Sequence, residues 1–388
     1  MITPEQLEIR ALALEFAEGE IRPGVAEWDA ERELPDALFE QLAELGFWGT
    51  RVPEDGGGLG LDAVTWSLVL EALAWGDASV ATVLGVHSGP VVHAIQRFGS
   101  PEQRERWLPP LASGETIGTL ALAEDEAGSD TPAMAMRVEP DGDGWTLTGT
   151  KRWVAGADRA GLLLAFGRAP GEEGENGITA FLVPAQTEGV RVSRRERMMG
   201  LAATGTATVE FDEVRLPDDA RLEGDGYAIA LEALIPGHVA VAAVATGISQ
   251  AAMEHALDYA GERRQFDTPI WEFGAIQEKL AGMATRIAGA RALTLDAADL
   301  VDGHGSAAVG LPSSRRARAA MAKVTASASA MWIADEAVQI YGGYGYMRDY
   351  PVEKLLRDAK GTELYHGTNE VLRMVVARDT VRQRLDVD

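Results

Sequence analysis

The 388-residue sequence predicts an α+β multidomain fold, with an N-terminal helical domain, a middle antiparallel β-barrel domain and a C-terminal four-helix bundle. Three observations lead there. Apolar residues recur at helical spacing as far as about residue 118, shorten to strand-like runs bounded by Gly, Pro and Asp from 119 to 225, and return to a helical period from 226 to 388. With 46% hydrophobic and 24% charged residues the chain can build large cores, enough for two or three domains.

In the first domain, Thr3 and Pro4 make a cap and first turn ahead of Leu7, Ile9, Leu12, Leu14 and Phe16. Further helices are expected over 36–47, 62–98 and 101–112, and Pro53 to Gly60 is too rich in glycine for a helix interior. In the middle domain the turn Asp141-Gly142-Asp143-Gly144 leads into Trp145 to Thr148. Leu162 to Phe166, Ile178 to Val183 and Thr206 to Val214 add β-prone runs. The last domain offers alanine-rich segments over 228–262, 272–303, 314–341 and 369–385, separated at Gly303-His304-Gly305 and at Gly342-Gly343-Tyr344-Gly345.

Composition narrows the function. A net charge of −25 argues against nucleic acid, whose binding needs phosphates neutralised by Lys and Arg. Without cysteine there is no disulfide framework and no thiolate chemistry, so redox work needs a cofactor. The six histidines show no metal-ligand spacing, which speaks against a zinc hydrolase. The N-terminus lacks a basic start and an apolar run, and no apolar stretch of about 18 residues is expected elsewhere. A cytoplasmic protein without membrane insertion follows as the expectation.

Five segments carry chemistry. Near the end, Glu363-Leu364-Tyr365-His366-Gly367-Thr368-Asn369-Glu370 runs into a helical pattern. Earlier come Ala121 to Asp130, with Gly128 and Ser129, and Lys151-Arg152-Trp153-Val154-Ala155. Glu262 to Asp267 and Gln339 to Tyr346 follow, the latter continued by Asp349-Tyr350-Pro351-Val352-Glu353 and Arg357-Asp358-Ala359. Alone, each has a plain structural reading as an acidic turn, a core tryptophan, a basic helix end or a glycine helix stop.

Together, and over nearly the whole chain, they resemble the acyl-CoA dehydrogenase family. The resemblance implies FAD as cofactor, an acyl thioester on CoA or an acyl-carrier protein as substrate, and α,β-dehydrogenation within fatty acid metabolism. It further implies an electron-transfer flavoprotein-like acceptor and a homotetramer or homodimer. Leu120, Leu122, Ala123, Gly128, Ser129, Trp153, Ala155, Arg263, Gln265, Phe266, Gln339, Gly342, Gly343, Thr368 and Glu370 fall at cofactor positions, and Ser129, His238 and Gly367 at substrate positions. In the family, the first arginine of the Arg-x-x-Phe-Gly turn meets the FAD pyrophosphate, here Arg263, and the glycine run contacts the FAD of a neighbouring subunit.

The departures lie around the reacting centre. His366 stands where the family's turn presents its catalytic carboxylate, Gly237 occupies the alternative position of that base, and His238 replaces the accompanying arginine. Ala123 and Ala155 replace threonines that hydrogen-bond the flavin, Ala202 replaces an arginine, and Asp267 replaces the glycine of a turn. Neutral imidazole can act as a base near pH 7, so His366 and His238 are the catalytic candidates, expected to face one another across the substrate cavity. A flavin monooxygenase-like relative and a non-catalytic thioester- or flavin-binding paralogue remain as alternatives. His87 and His93 read as packing or surface residues.

Overall fold

The computed structural model describes residues 2–304, 312 and 314–385. Gly305, expected in an interhelical break, and the last residues of the third domain lie outside them.

The first domain contains α1 (Pro4–Phe16), α2 (Val25–Glu31), α3 (Asp36–Glu44), α4 (Ala63–Gly76), α5 (Ala78–Val86), α6 (Val92–Phe98) and α7 (Pro101–Ala112). Thr3 caps α1 in a capping box with Gln6, as its spacing implies. The single helix expected over 62–98 is three. Asp77 adopts an extended backbone and accepts a hydrogen bond from the Ser79 N–H at 2.5 Å, which ends α4 and starts α5. Pro90, lacking an N–H, then sits in a π-helical segment, His87–Val91, that separates α5 from α6.

The middle domain is a curled sheet of β1 (Gly118–Ala121), β2 (Arg137–Asp141), β3 (Gly144–Val154), β4 (Leu162–Arg168), β5 (Ile178–Pro184), β6 (Val190–Val192) and β7 (Ala207–Pro217). Most neighbours are antiparallel, but β1 runs parallel to β4, from Gly118 opposite Leu162 to Ala121 opposite Ala165. A hydrogen bond from the Arg152 N–H near the end of β3 to the Ala123 carbonyl just beyond β1 brings the two strand ends to one rim. Leu147, Leu163, Phe181 and Phe211 fill the interior of the curl.

The third domain holds α8 (Gly226–Glu262), a small hairpin of β8 (Arg264–Gln265) and β9 (Thr268–Pro269), α9 (Gly274–Val301), α10 (Arg315–Tyr341), α11 (Val352–Thr362) and α12 (Asn369–Leu385). Asp225 caps α8 through the Ala228 N–H at 2.9 Å. From there α8 crosses the core, packing on α4, α9 and α10. Gly247 allows a close approach to α4, since a Cβ there would lie 2.4 Å from the Glu71 carbonyl oxygen. Contrary to the sequence expectation, two stretches, 78–98 and 226–262, are long and apolar enough to cross a membrane. Most of each is buried against the rest of the protein, which accounts for its composition as that of a core helix.

Candidate active site

Two walls meet the expected chemistry, and each is built from a few hydrogen bonds. On the β wall, the chain leaving β1 and the chain leaving β3 are laced together. The Arg152 N–H donates to the Ala123 carbonyl at 2.8 Å, and the Thr119 hydroxyl donates to the Ala155 carbonyl at 2.5 Å. Beneath them lies Lys151, fully buried, whose Nζ donates to the Leu122 carbonyl at 2.9 Å and to Glu124 Oε1 at 2.7 Å. The Glu124 carboxylate also accepts from the Ala135 and Met136 N–H groups at 2.6 and 3.0 Å. Burial lowers the Lys151 ammonium to about 8 and Glu124 holds it up against that loss.

This knot sets the 122–136 loop and the 151–155 strand end at one edge, so the first two sequence segments are neighbours. Trp153 stands there half exposed with a left-handed backbone, φ 53°. Gly128 and Ser129 lie on the exposed part of the loop, and a Cβ at Gly128 would meet nothing within 4 Å.

The helical wall is the turn between α11 and α12. His366 is left-handed, φ 53°, followed by Gly367 at φ 88°, a strained choice for a non-glycine residue. Lys323 of α10, also fully buried, donates its three N–H bonds to the Glu363 carbonyl at 3.0 Å, the Gly367 carbonyl at 2.9 Å and Asn369 Oδ1 at 2.9 Å. The Asn369 N–H closes the turn onto the Glu363 carbonyl at 3.1 Å. From α8, His238 Nε2 lies 2.9 Å from the His366 carbonyl oxygen, which can only accept, so Nε2 carries the proton. The two histidines therefore meet ring to backbone, and not ring to ring across a cavity as expected from the sequence.

The His366 ring occupies the space a side chain on Gly237 would need. A Cβ at Gly237 would lie 2.7 Å from His366 Nδ1 and 3.3 Å from Pro90 Cγ. Nδ1 is enclosed and makes no hydrogen bond of good geometry, and His238 Nδ1 is in the same condition. Burial depresses His366 to about 4, offset in part by the Gly237 backbone and deepened by the Lys323 charge. Burial and the neighbouring His366 and Lys323 take His238 to about 3, so both rings are neutral at pH 7. Burial also brings Lys323 to about 7 despite the fields of Glu363 and Glu370.

Five further candidates form a second group in the third domain. Arg263, Gln265, Phe266, Gly342 and Gly343 line one open cavity of about 650 Å³ together with Tyr259, Tyr341 and Tyr344. Arg263 lies 5.7 Å over the Tyr344 ring, and a Cβ at Gly342 or Gly343 would meet nothing, which leaves backbone open to a phosphate. Gln339 is exposed in the last turn of α10 and is not part of that lining. Asp267, where a glycine was expected by resemblance, adopts φ 62°, a conformation Asp tolerates better than most residues. Thr368 accepts from the Val371 N–H at 3.4 Å at the start of α12, and Glu370 is exposed beside Arg373.

Elsewhere, His87 is a packing residue, its Nδ1 accepting from the Gly118 N–H at 2.9 Å, and Ala202 is buried in a short 3-10 turn. Among the described residues no cluster of His, Asp and Glu could hold a metal. Sequence reasoning passed over Lys151 and Lys323. The available signal was a lone lysine in an otherwise small and apolar stretch, as in Ala319-Ala320-Met321-Ala322-Lys323.

Three family patterns now match in chain order. Acyl-CoA dehydrogenase N-terminal, middle and C-terminal domains cover residues 3–115, 119–214 and 224–381. The chain belongs to the acyl-CoA dehydrogenase family. An acyl-CoA dehydrogenase of Bacillus subtilis is 39% identical over 97% of this chain and 98% of its own. The solved butyryl-CoA dehydrogenase of Megasphaera elsdenii superposes with a TM-score of 0.94 at 34% identity, covering 98% of this chain and 99% of its own. A glutaryl-CoA dehydrogenase of Mycobacterium smegmatis, solved in complex with FADH2, gives 0.89 at 27% identity over 97% of this chain and 94% of its own. Acyl-CoA dehydrogenases are FAD-dependent oxidoreductases acting on CH–CH groups, and this chain carries all three of the matched domains.

Proposed function

We propose that this chain dehydrogenates a short acyl thioester at its α,β bond, with His366 taking the α-proton, and passes the electrons to a flavoprotein acceptor in the cytoplasm. The observation that carries the reading is the His366 ring seated against Gly237. Of the two positions where the family's base is expected, one has become glycine and the other fills the vacated space with a group that can still accept a proton. The short acyl group is suggested by the butyryl-CoA relative.

The residues present fit FAD. Trp153, Ser129 and the open backbone at Gly128 would face the flavin from the β wall, while Arg263, Gln265 and the bare Gly342–Gly343 backbone would hold a pyrophosphate contributed by another copy. Phe266, which lines that cavity at 91% exposure, and Tyr346, 85% exposed in the segment after Gly343, offer apolar surface suited to a homodimer or homotetramer. FAD, when bound, accepts the hydride from the β-carbon.

The protein's own part is proton transfer. A half-buried imidazole at about 4 is, in the ligand-free site, as strong a base as an ordinary glutamate. The difference is charge, because a glutamate ends neutral and His366 ends as a cation. That cation is favoured only when negative charge has developed beside it, which couples proton uptake to the electron transfer that creates such charge. His366 Nδ1 is the enclosed nitrogen, so Nε2 is the one available to the substrate. Ser129 and the Gly367 backbone would position the thioester.

Anaerobic flavin reduction by a panel of acyl-CoA thioesters, run on the parent protein, His366→Ala and His366→Glu, tests the reading. The parent should bleach with a short acyl group, and His366→Ala should slow by about 10²–10⁴-fold, the span of general-base catalysis. A parent that fails to bleach while His366→Glu gains the reaction would refute histidine as the base.

A further inference from the structure

We propose that Lys323 is the positioning residue of His366, holding the turn that aims its ring. The proposal rests on His366 acting as the base, and its experiment separates the two. An ammonium has three N–H bonds, and Lys323 spends all three on one seven-residue turn, from Glu363 at its start to Gly367 and Asn369 at its end. Ser327, one turn further along α10, exchanges hydrogen bonds with the Asn369 side chain at 3.0 to 3.1 Å and keeps that acceptor aimed.

The acceptors are two carbonyls and an amide. No described carboxylate pairs with Lys323, which is what a clip for backbone requires and an ion pair does not. The clip encloses Gly367 and His366, of which His366 holds a left-handed backbone that is strained for a non-glycine residue. With His238 gripping the His366 carbonyl from α8, the turn that carries the ring against Gly237 is bonded to two core helices.

Lys323→Met and Lys323→Arg, assayed as FAD-loaded enzyme, test it. In Lys323→Met the flavin reduction rate should fall roughly 100-fold, the cost of a misplacement near 1 Å, while KM and flavin content change less than about threefold. The acid limb of its pH profile should move upward, since the Lys323 charge that depresses His366 is gone. The other charged or titratable groups about His366, namely His238 from α8, Glu363 and Glu370 at the ends of the turn and Arg373 on α12, are unchanged. Lys323→Arg keeps the charge and should restore the acid limb without restoring the rate, because a planar fork cannot meet three converging acceptors.

A Lys323→Met enzyme within threefold of the parent rate, with its acid limb unmoved, would leave Lys323 a support of the fold only. Should Lys323→Met not fold, Asn369→Ala removes a single acceptor and should lose about tenfold, and an unchanged rate in that folded variant would overturn the proposal. Hydrogen exchange reads the clip independently of the chemistry. The Asn369 N–H should exchange at least about tenfold faster in Lys323→Met even if His366→Ala proves that the histidine is not the base, and unaltered exchange would count against the clip.

Discussion

The β wall and the helical wall each bury a lysine beside the proposed reacting centre, yet they treat its charge in opposite ways. Lys151 is met by Glu124 at 2.7 Å, so its charge is balanced inside the wall, and the rim above it is left open with Trp153 half exposed. Among the described residues Lys323 is met by neutral acceptors alone, and the rings beside it, His366 and His238, are bases too. One wall is electrically finished without a ligand. The other has, among the described residues, no carboxylate paired with its lysine, and burial holds its two histidines neutral and depresses the lysine. The difference teaches which wall waits on chemistry. Negative charge arriving from a thioester enolate or a reduced cofactor would find nothing to gain at the β knot and three depressed bases at the turn.

The largest effect should come with acid, and it should be unequal. Burial holds His366 and His87 near 4, His238 near 3 and, with Arg51 adding to it, His93 near 4, against 6.5 in an unfolded chain. Between about pH 6.5 and 4 the unfolded state binds more protons at these histidines, so their contribution to stability is complete above 6.5 and declines as the pH falls through that window. The slope is about 1.4 kcal/mol per pH unit for each excess proton. Urea midpoints across that range measure the sum. Exchange at pH 5 should show amides of the 363–369 turn opening before those of the 122–136 loop, and the reverse order would break the contrast between the walls.

Gly237→Ala probes the fit on which the histidine reading depends. In an ordinary helix interior the change would stabilise by about 1 kcal/mol, but here the new Cβ would press on His366 Nδ1 at 2.7 Å and on Pro90 Cγ at 3.3 Å. Overpacking of this kind costs about 1–3 kcal/mol, so the clash should win. The expected result is a lower thermal midpoint and a flavin reduction rate down roughly 10- to 100-fold with little change in flavin content. A stabilised and fully active variant would show that the His366 ring is not held by this contact.

How much of this was legible depended on the range of each interaction. The three-part fold is written in apolar periodicity, and caps such as Thr3 and Asp225 stand where local chemistry wants them. The break at Asp77 was missed because the apolar pattern runs through it and only the cap interrupts the backbone. At the site, the altered positions 237, 238 and 366 were visible one by one. Their contact was not, since His238 meets a backbone oxygen 128 residues away and the His366 ring sits in a space defined by an absent side chain. Lys151 and Lys323 were passed over because a single lysine carries no spacing to read, and only the fold shows how many carbonyls converge on it.

The smallest effect should come from restoring what the β wall lost. The Ala155 carbonyl is already held by the Thr119 hydroxyl at 2.5 Å, so the backbone at this position is fixed and a side-chain hydroxyl added there would arrive without reordering the wall. A new hydrogen bond to a cofactor is worth about 0.5–1.5 kcal/mol, which predicts flavin retained about 2- to 10-fold more tightly in Ala155→Thr. Flavin titration of the apoprotein measures it. Because the hydroxyl is on the β wall, the pH profile set by His366 and Lys323 should not move. If Ala155→Thr shifts that profile as well, the two walls are coupled through the cofactor more closely than their separate hydrogen-bond networks imply, and the helical wall's missing partner would have to be sought partly in the flavin itself.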